Sequence, residues 1–101
     1  MMQGDAYALP LEVQSDGEEI TPDILFEFEA TIGNLTKKLS NGGVSYEPET
    51  KVFMVHLTQQ ETFGLCGRER VQARLKFLSG DVRGVDFGEM FVNISNSKAV
   101  I

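Results

Sequence analysis

The stretch at residues 68–92, RERVQARLKFLSGDVRGVDFGEMFV, decides the fold. Its first half alternates. Val71, Ala73, Leu75 and Phe77 fall on one side, and Arg70, Gln72, Arg74 and Lys76 on the other. A period of two puts one face of a strand on a core and the other in water. Ser79-Gly80-Asp81 supplies turn residues, and a second strand-like run from Val82 to Val92 returns beside the first. The pattern predicts a long antiparallel hairpin.

The chain before it supplies strands to pair with that hairpin. Phe26, Phe28, Ala30 and Ile32 alternate with Glu27, Glu29 and Thr31, which predicts a strand with all four apolar residues inward. Gly33-Asn34 follows, and Leu35, Lys37 and Leu39 alternate beyond it. A two-residue Gly-Asn link between such runs reads as a type II′ hairpin. Residues 6–13 alternate with Tyr7, Leu9, Leu11 and Val13 inward, and Pro10 places them at a sheet edge. Residues 15–18 read as a turn and residues 44–46 as a short strand. Phe53, Val55 and Leu57 form another inward face, with Val52, Met54 and His56 opposite. Thr58-Gln59-Gln60-Glu61 has the Thr-x-x-Glu spacing of a capping box, which predicts one helical turn between two strands. The tail after Val92 reads as a last strand or a frayed end. Short strands at this spacing, with Gly, Asn, Asp and Pro between them, predict an all-β antiparallel sandwich in a single domain over residues 1–101; a partly open barrel is the other arrangement they allow.

Composition narrows the function. The 101 residues are 42% apolar and 24% charged, ordinary for one globular core. The lone Cys66 allows no internal disulfide and points to a reducing compartment. No apolar run approaches the roughly 18 residues of a membrane helix, and the first ten residues lack the pattern of a signal peptide. Net charge is −6, unevenly placed: ten acids and two lysines in residues 1–50 give −8, and five acids and seven bases in residues 51–101 give +2. An acidic chain does not suit nucleic acid.

No catalytic or metal constellation stands out. His56 has no second ligand at metal spacing and reads as a strand histidine. Cys66, beside Arg68, has no partner histidine and reads as a packing cysteine. Asp81 reads as a turn residue rather than half of an acid–base pair with Asp86. Gly84 and Gly88 read as bulge markers, because their spacing fits no phosphate loop. No catalytic, cofactor or metal residues are therefore expected. The most pointed surface feature is the row Arg68, Arg70, Arg74 and Lys76 on one strand face. It either meets an acidic partner or lies across from Glu27 and Glu29 within one sheet.

Two groups of motifs together resemble a known family. The first is Gly4-Asp5-Ala6, the alternating Leu9 and Leu11, and Asp16-Gly17-Glu18-Glu19-Ile20. The second is Val55-His56-Leu57-Thr58, Leu65-Cys66-Gly67, and then strand, Ser79-Gly80-Asp81, strand. Their order and spacing resemble the N-terminal immunoglobulin-like module of phage baseplate upper proteins and of small tail-associated proteins in prophages of Gram-positive bacteria. The resemblance spans most of residues 4–92. It implies an immunoglobulin-like sandwich with a structural, non-enzymatic docking role. It implies other tail or virion proteins, or a second copy, as partners, with neither nucleic acid nor membrane bound. The expected location is the host bacterial cytoplasm during assembly and then the virion. The family's stalk and receptor-binding regions have no counterpart in these 101 residues, so host recognition is not implied. The other reading is a small carbohydrate-binding module, which the lack of Trp and the presence of only two Tyr disfavour.

Overall fold

The computed structural model describes residues 1–15 and 18–101. Among them the order is β1 (Tyr7–Leu11), β2 (Gln14–Ser15), β3 (Glu18–Glu19), a 3-10 turn (Pro22–Ile24), β4 (Leu25–Ile32), β5 (Leu35–Lys38), β6 (Val44–Glu47), β7 (Val52–Leu57), α1 (Gln59–Phe63), β8 (Gly67–Phe77) and β9 (Val82–Val92). Strands β1-β7-β6 form one antiparallel sheet and β5-β4-β8-β9 another, while β2 pairs only with β3. The turn expected at residues 15–18 has its two central residues outside the described ones.

The two sheets close on one core. Phe28 of β4 stacks on Phe53 of β7 with ring centroids 4.3 Å apart and planes 13° from parallel, and Tyr46 tilts onto Phe53 at 5.0 Å. Ala30, Ile32, Val55, Leu57, Val71, Ala73 and Leu75 are buried around them. Each large apolar side chain removed from water contributes about 1.5–3 kcal/mol, so the inward rows of β4, β7 and β8 hold the layers together. The all-β expectation is met: two antiparallel sheets pack face to face, with one helical turn between β7 and β8. Strands β8 and β9, eleven residues each, make the molecule 46 Å long and 22 Å across.

Local signals are realised where they depend on neighbours in sequence. Ile32 pairs with Leu35 across the two-residue link, and Gly33 takes φ 56° while Asn34 has no positive φ, the pattern of a type II′ turn. The Thr58 hydroxyl accepts from the Glu61 N–H, and the Glu61 carboxylate accepts from the Thr58 N–H, so the capping box is complete.

Several expectations are corrected. Phe26 is 68% exposed rather than inward. Leu25 pairs with Phe77 and Glu27 with Lys76, so Phe26 is the extra residue of a bulge and Leu25 takes the buried place. Tyr7 is 41% exposed, because it is the first residue of the edge strand β1, at the sheet's corner. Cys66 is exposed; Leu65 before it is the buried residue of the link from α1 to β8. Gly88 does lie at a bulge, with φ 84°, but Gly84 pairs in regular register with Arg74.

The tail is neither a full strand nor frayed. Asn93 makes a parallel bridge with Met2, Gln3 N–H donates to Asn93 O at 2.8 Å, and Asn93 N–H donates to Met1 O at 2.9 Å. The buried Gln3 side chain joins the α1 end to the C-terminal tail through four residues. Its Nε2 donates to Leu65 O at 2.8 Å and, at 3.4 Å, to Phe63 O. Its Oε1 accepts from Ser95 N–H at 3.1 Å and from Lys98 Nζ at 2.6 Å. Both ends of the chain are thereby held against α1.

Candidate functional site

The outer face of the four-stranded sheet carries the basic row. Strand alternation on β8 turns Arg68, Arg70, Gln72, Arg74 and Lys76 away from Val71, Ala73 and Leu75, and all five are exposed. On one side β4 brings Glu27 opposite Lys76 and Glu29 opposite Arg74. On the other side β9 brings Phe91 opposite Arg68, Glu89 opposite Arg70, Asp86 opposite Gln72, Gly84 opposite Arg74 and Val82 opposite Lys76.

The four cations are not equivalent. Arg70 Nη1 lies 2.7 Å from Asp86 Oδ2. Hydrogen bonds from Gly88 N–H and Gln72, together with the Arg70 guanidinium, hold the Asp86 carboxyl below its ordinary range. Lys76 Nζ lies 5.1 Å from the centroid of the outward Phe26 ring, a cation–π contact that the bulge in β4 creates. Arg68 and Arg74 have no ion pair among the described residues. The acidic row is in register, as cross-strand compensation requires, yet its members are directed elsewhere. Glu29 pairs with Lys38 at 3.9 Å. Glu27 accepts from Ser40 N–H at 3.0 Å and Phe28 N–H at 3.1 Å. Burial alone would raise the Glu27 carboxyl, but the Ser40 and Phe28 hydrogen bonds outweigh it and lower it.

Apolar groups border this polar face at both ends. Phe26 and Val82 flank Lys76 at the hairpin end, and Phe91, 58% exposed, lies beside Arg68 at the α1 end. Between them is a depression of about 400 Å³ bordered by Glu29, Thr31, Gln72, Arg74, Gly84 and Asp86. The sequence pattern placed the cations on one face. It missed Phe26, Asp86 and Gly84. The adjacent apolar pair Leu25-Phe26, which breaks strict alternation, was the available signal for the bulge.

The remaining candidates stay apart. His56 Nε2 lies 2.7 Å from Ser45 Oγ on the exposed face of the other sheet. Asp81 lies in the exposed hairpin turn, and Asp86 is engaged by Arg70 and Gly88. Among the described residues no three His, Cys, Asp or Glu side chains are grouped to hold a metal, and no helix is long and apolar enough to cross a membrane. Comparison with family models, with curated proteins and with solved structures gives no match.

Proposed function

We propose that this chain is a non-enzymatic structural protein of phage or prophage origin, with an immunoglobulin-like sandwich that docks into a tail or baseplate through the outer face of its long sheet. The observation that carries the docking is the state of the basic row. Arg68 and Arg74 stand on a strand held from both sides, carry no ion pair among the described residues, and are bordered by exposed Phe91 and Phe26. Aromatic anchors beside uncompensated arginines are the composition of protein-docking surfaces. The phage origin rests on the motif order in residues 4–92. The partner is another tail protein, with assembly in the host cytoplasm and retention in the virion.

The test is mass spectrometry of purified tail particles from a lysogen carrying the gene. The protein should be recovered with the tails, and Arg68→Glu with Arg74→Glu should reduce that recovery at least about tenfold, since like charges brought face to face across an interface oppose docking. Absence from the particles, or unchanged recovery of the variant, overturns the reading. Sedimentation of the isolated chain at low and high salt tests a second copy as the partner.

One observation favours the carbohydrate-binding alternative: Phe26 presents an aromatic ring on the sheet face. Lys76 lies over that ring, and a sugar stacking there would displace it. Binding of a soluble glycan that Phe26→Ala abolishes would establish that reading instead.

A further inference from the structure

Gly84 is a glycine that its own backbone does not require. The register of β9 against β8 is unbroken from Val82 to Asp86. Gly67 and Gly88 take φ of 68° and 84°, where glycine is favoured, whereas Gly84 has no positive φ. A Cβ built on Gly84 meets no heavy atom within 4 Å, so no neighbouring backbone excludes a side chain. A glycine inside a strand weakens it, through lost conformational entropy and absent cross-strand packing. What the missing side chain leaves is the depression beside Arg74 on the outer face.

The charges around that depression are unequal in their partners. Glu29 has Lys38 at 3.9 Å and Asp86 has Arg70 at 2.7 Å. Arg74, opposite Gly84, has no ion pair among the described residues and nothing facing it from β9. The charged groups lining the depression are Glu29, Asp86 and Arg74; both carboxylates are already paired with a cation outside it, so Arg74 is the one lining charge without an ion pair among the described residues.

We propose that the depression is a socket for one carboxylate side chain, Asp or Glu, of the docking partner, received by the Arg74 guanidinium, and that Gly84 keeps the socket open. The proposal rests on the docking reading above. A carboxylate offers two acceptors in the plane that a guanidinium fork matches. Either anion meets the Glu29 and Asp86 carboxylates at the rim, and a carboxylate, with a single charge, is repelled by them about half as strongly as a phosphate dianion.

The experiment is a ¹H–¹⁵N NMR titration of the whole chain with N-acetyl-glutamate N-methylamide. N-acetyl-glutamine N-methylamide and inorganic phosphate serve as comparison probes. The glutamate probe should shift the Gly84 amide and the Arg74 Nε–H saturably, and the neutral probe should not. Gly84→Val should weaken the glutamate probe at least about tenfold, the loss expected for a charge-assisted contact, while the thermal midpoint holds or rises because valine suits a strand. Arg74→Gln should abolish the shifts without filling the socket, which keeps the test decisive if the valine variant folds poorly. No saturation with the parent chain, equal binding by Arg74→Gln or by a folded Gly84→Val, or tighter binding of phosphate overturns the socket. Such a result leaves the docking face standing, since that is judged on tail recovery of the Arg68 and Arg74 charge-reversal variant.

Discussion

The α1 end of the molecule and the outer face of the long sheet treat polar groups in opposite ways. At the α1 end the polar side chains close on the protein itself. Gln3 bonds four residues of the α1 end and the tail, Glu61 completes the capping box and takes Lys37 Nζ at 2.6 Å, and the buried Thr62 hydroxyl accepts from Gly4 N–H at 2.9 Å. On the outer face, Arg68 and Arg74 carry no ion pair among the described residues. Polar groups at the first site satisfy buried backbone; Arg68 and Arg74 at the second are exposed to solvent. The difference separates a region whose polar groups stabilise the fold from one whose polar groups the docking reading assigns to a partner, and substitutions in the two regions should separate in the same way.

The largest loss is expected at Gln3. Gln3→Leu keeps the volume but leaves Leu65 O and Ser95 N–H without a side-chain partner, so the urea midpoint should fall by the equivalent of about 2–3 kcal/mol. A change near zero would show that the termini are not held through this residue. Thr58→Ala removes half of the capping box and should cost about 1 kcal/mol, with an unchanged m-value.

A pH titration sharpens the same comparison. Burial pushes the Glu61 carboxyl up, but the hydrogen bonds from Lys37 and Thr58 prevail and hold it below the ordinary 4.5. A carboxyl lowered in the folded state binds fewer protons there than in the unfolded chain. Its stabilisation is present above about pH 4.5 and is lost as pH falls from there through the folded value. Glu61→Gln should flatten the stability–pH curve in that acid window and leave its shape above pH 6 unchanged. If the curves of parent and variant stay parallel below pH 4.5, the Lys37 contact does not hold the carboxylate.

The smallest stability effect belongs to the outer face. Arg68→Glu with Arg74→Glu should move the urea midpoint by no more than about 0.5 kcal/mol equivalent, as for surface changes that break no internal pair. A large loss would place these arginines in the structural class and remove the contrast.

Most of the layer pattern was legible in the sequence because it is local. Alternation over β4, β7 and β8, the Gly33-Asn34 link and the Thr58–Glu61 box each depend on residues a few positions apart. The misses depend on distant pairing. The Gln3 side chain meets Ser95 across 92 positions, and no period or spacing encodes that meeting. Alternation counts residues and so turns Phe26 inward, whereas the bulge that turns it outward is set by how β8 pairs with β4. For the candidate site, the cations were legible as a row. Which of them lack partners was not, because Asp86 reaches Arg70 only once β9 has folded back.

The bulge in β9 bears on solubility. β9 is the long outermost strand of its sheet, and an uninterrupted eleven-residue edge invites neighbouring molecules to add strands and grow into aggregates. Phe87 is left out of the ladder, and the Asp86 carboxylate takes the Gly88 N–H at 2.8 Å, so the middle of that edge is bent and partly occupied. Concentrated protein should therefore resist edge-to-edge fibre growth. On the docking reading proposed above, a partner would meet the molecule side chain to side chain across the flat of the sheet, and could leave again without unzipping a ladder.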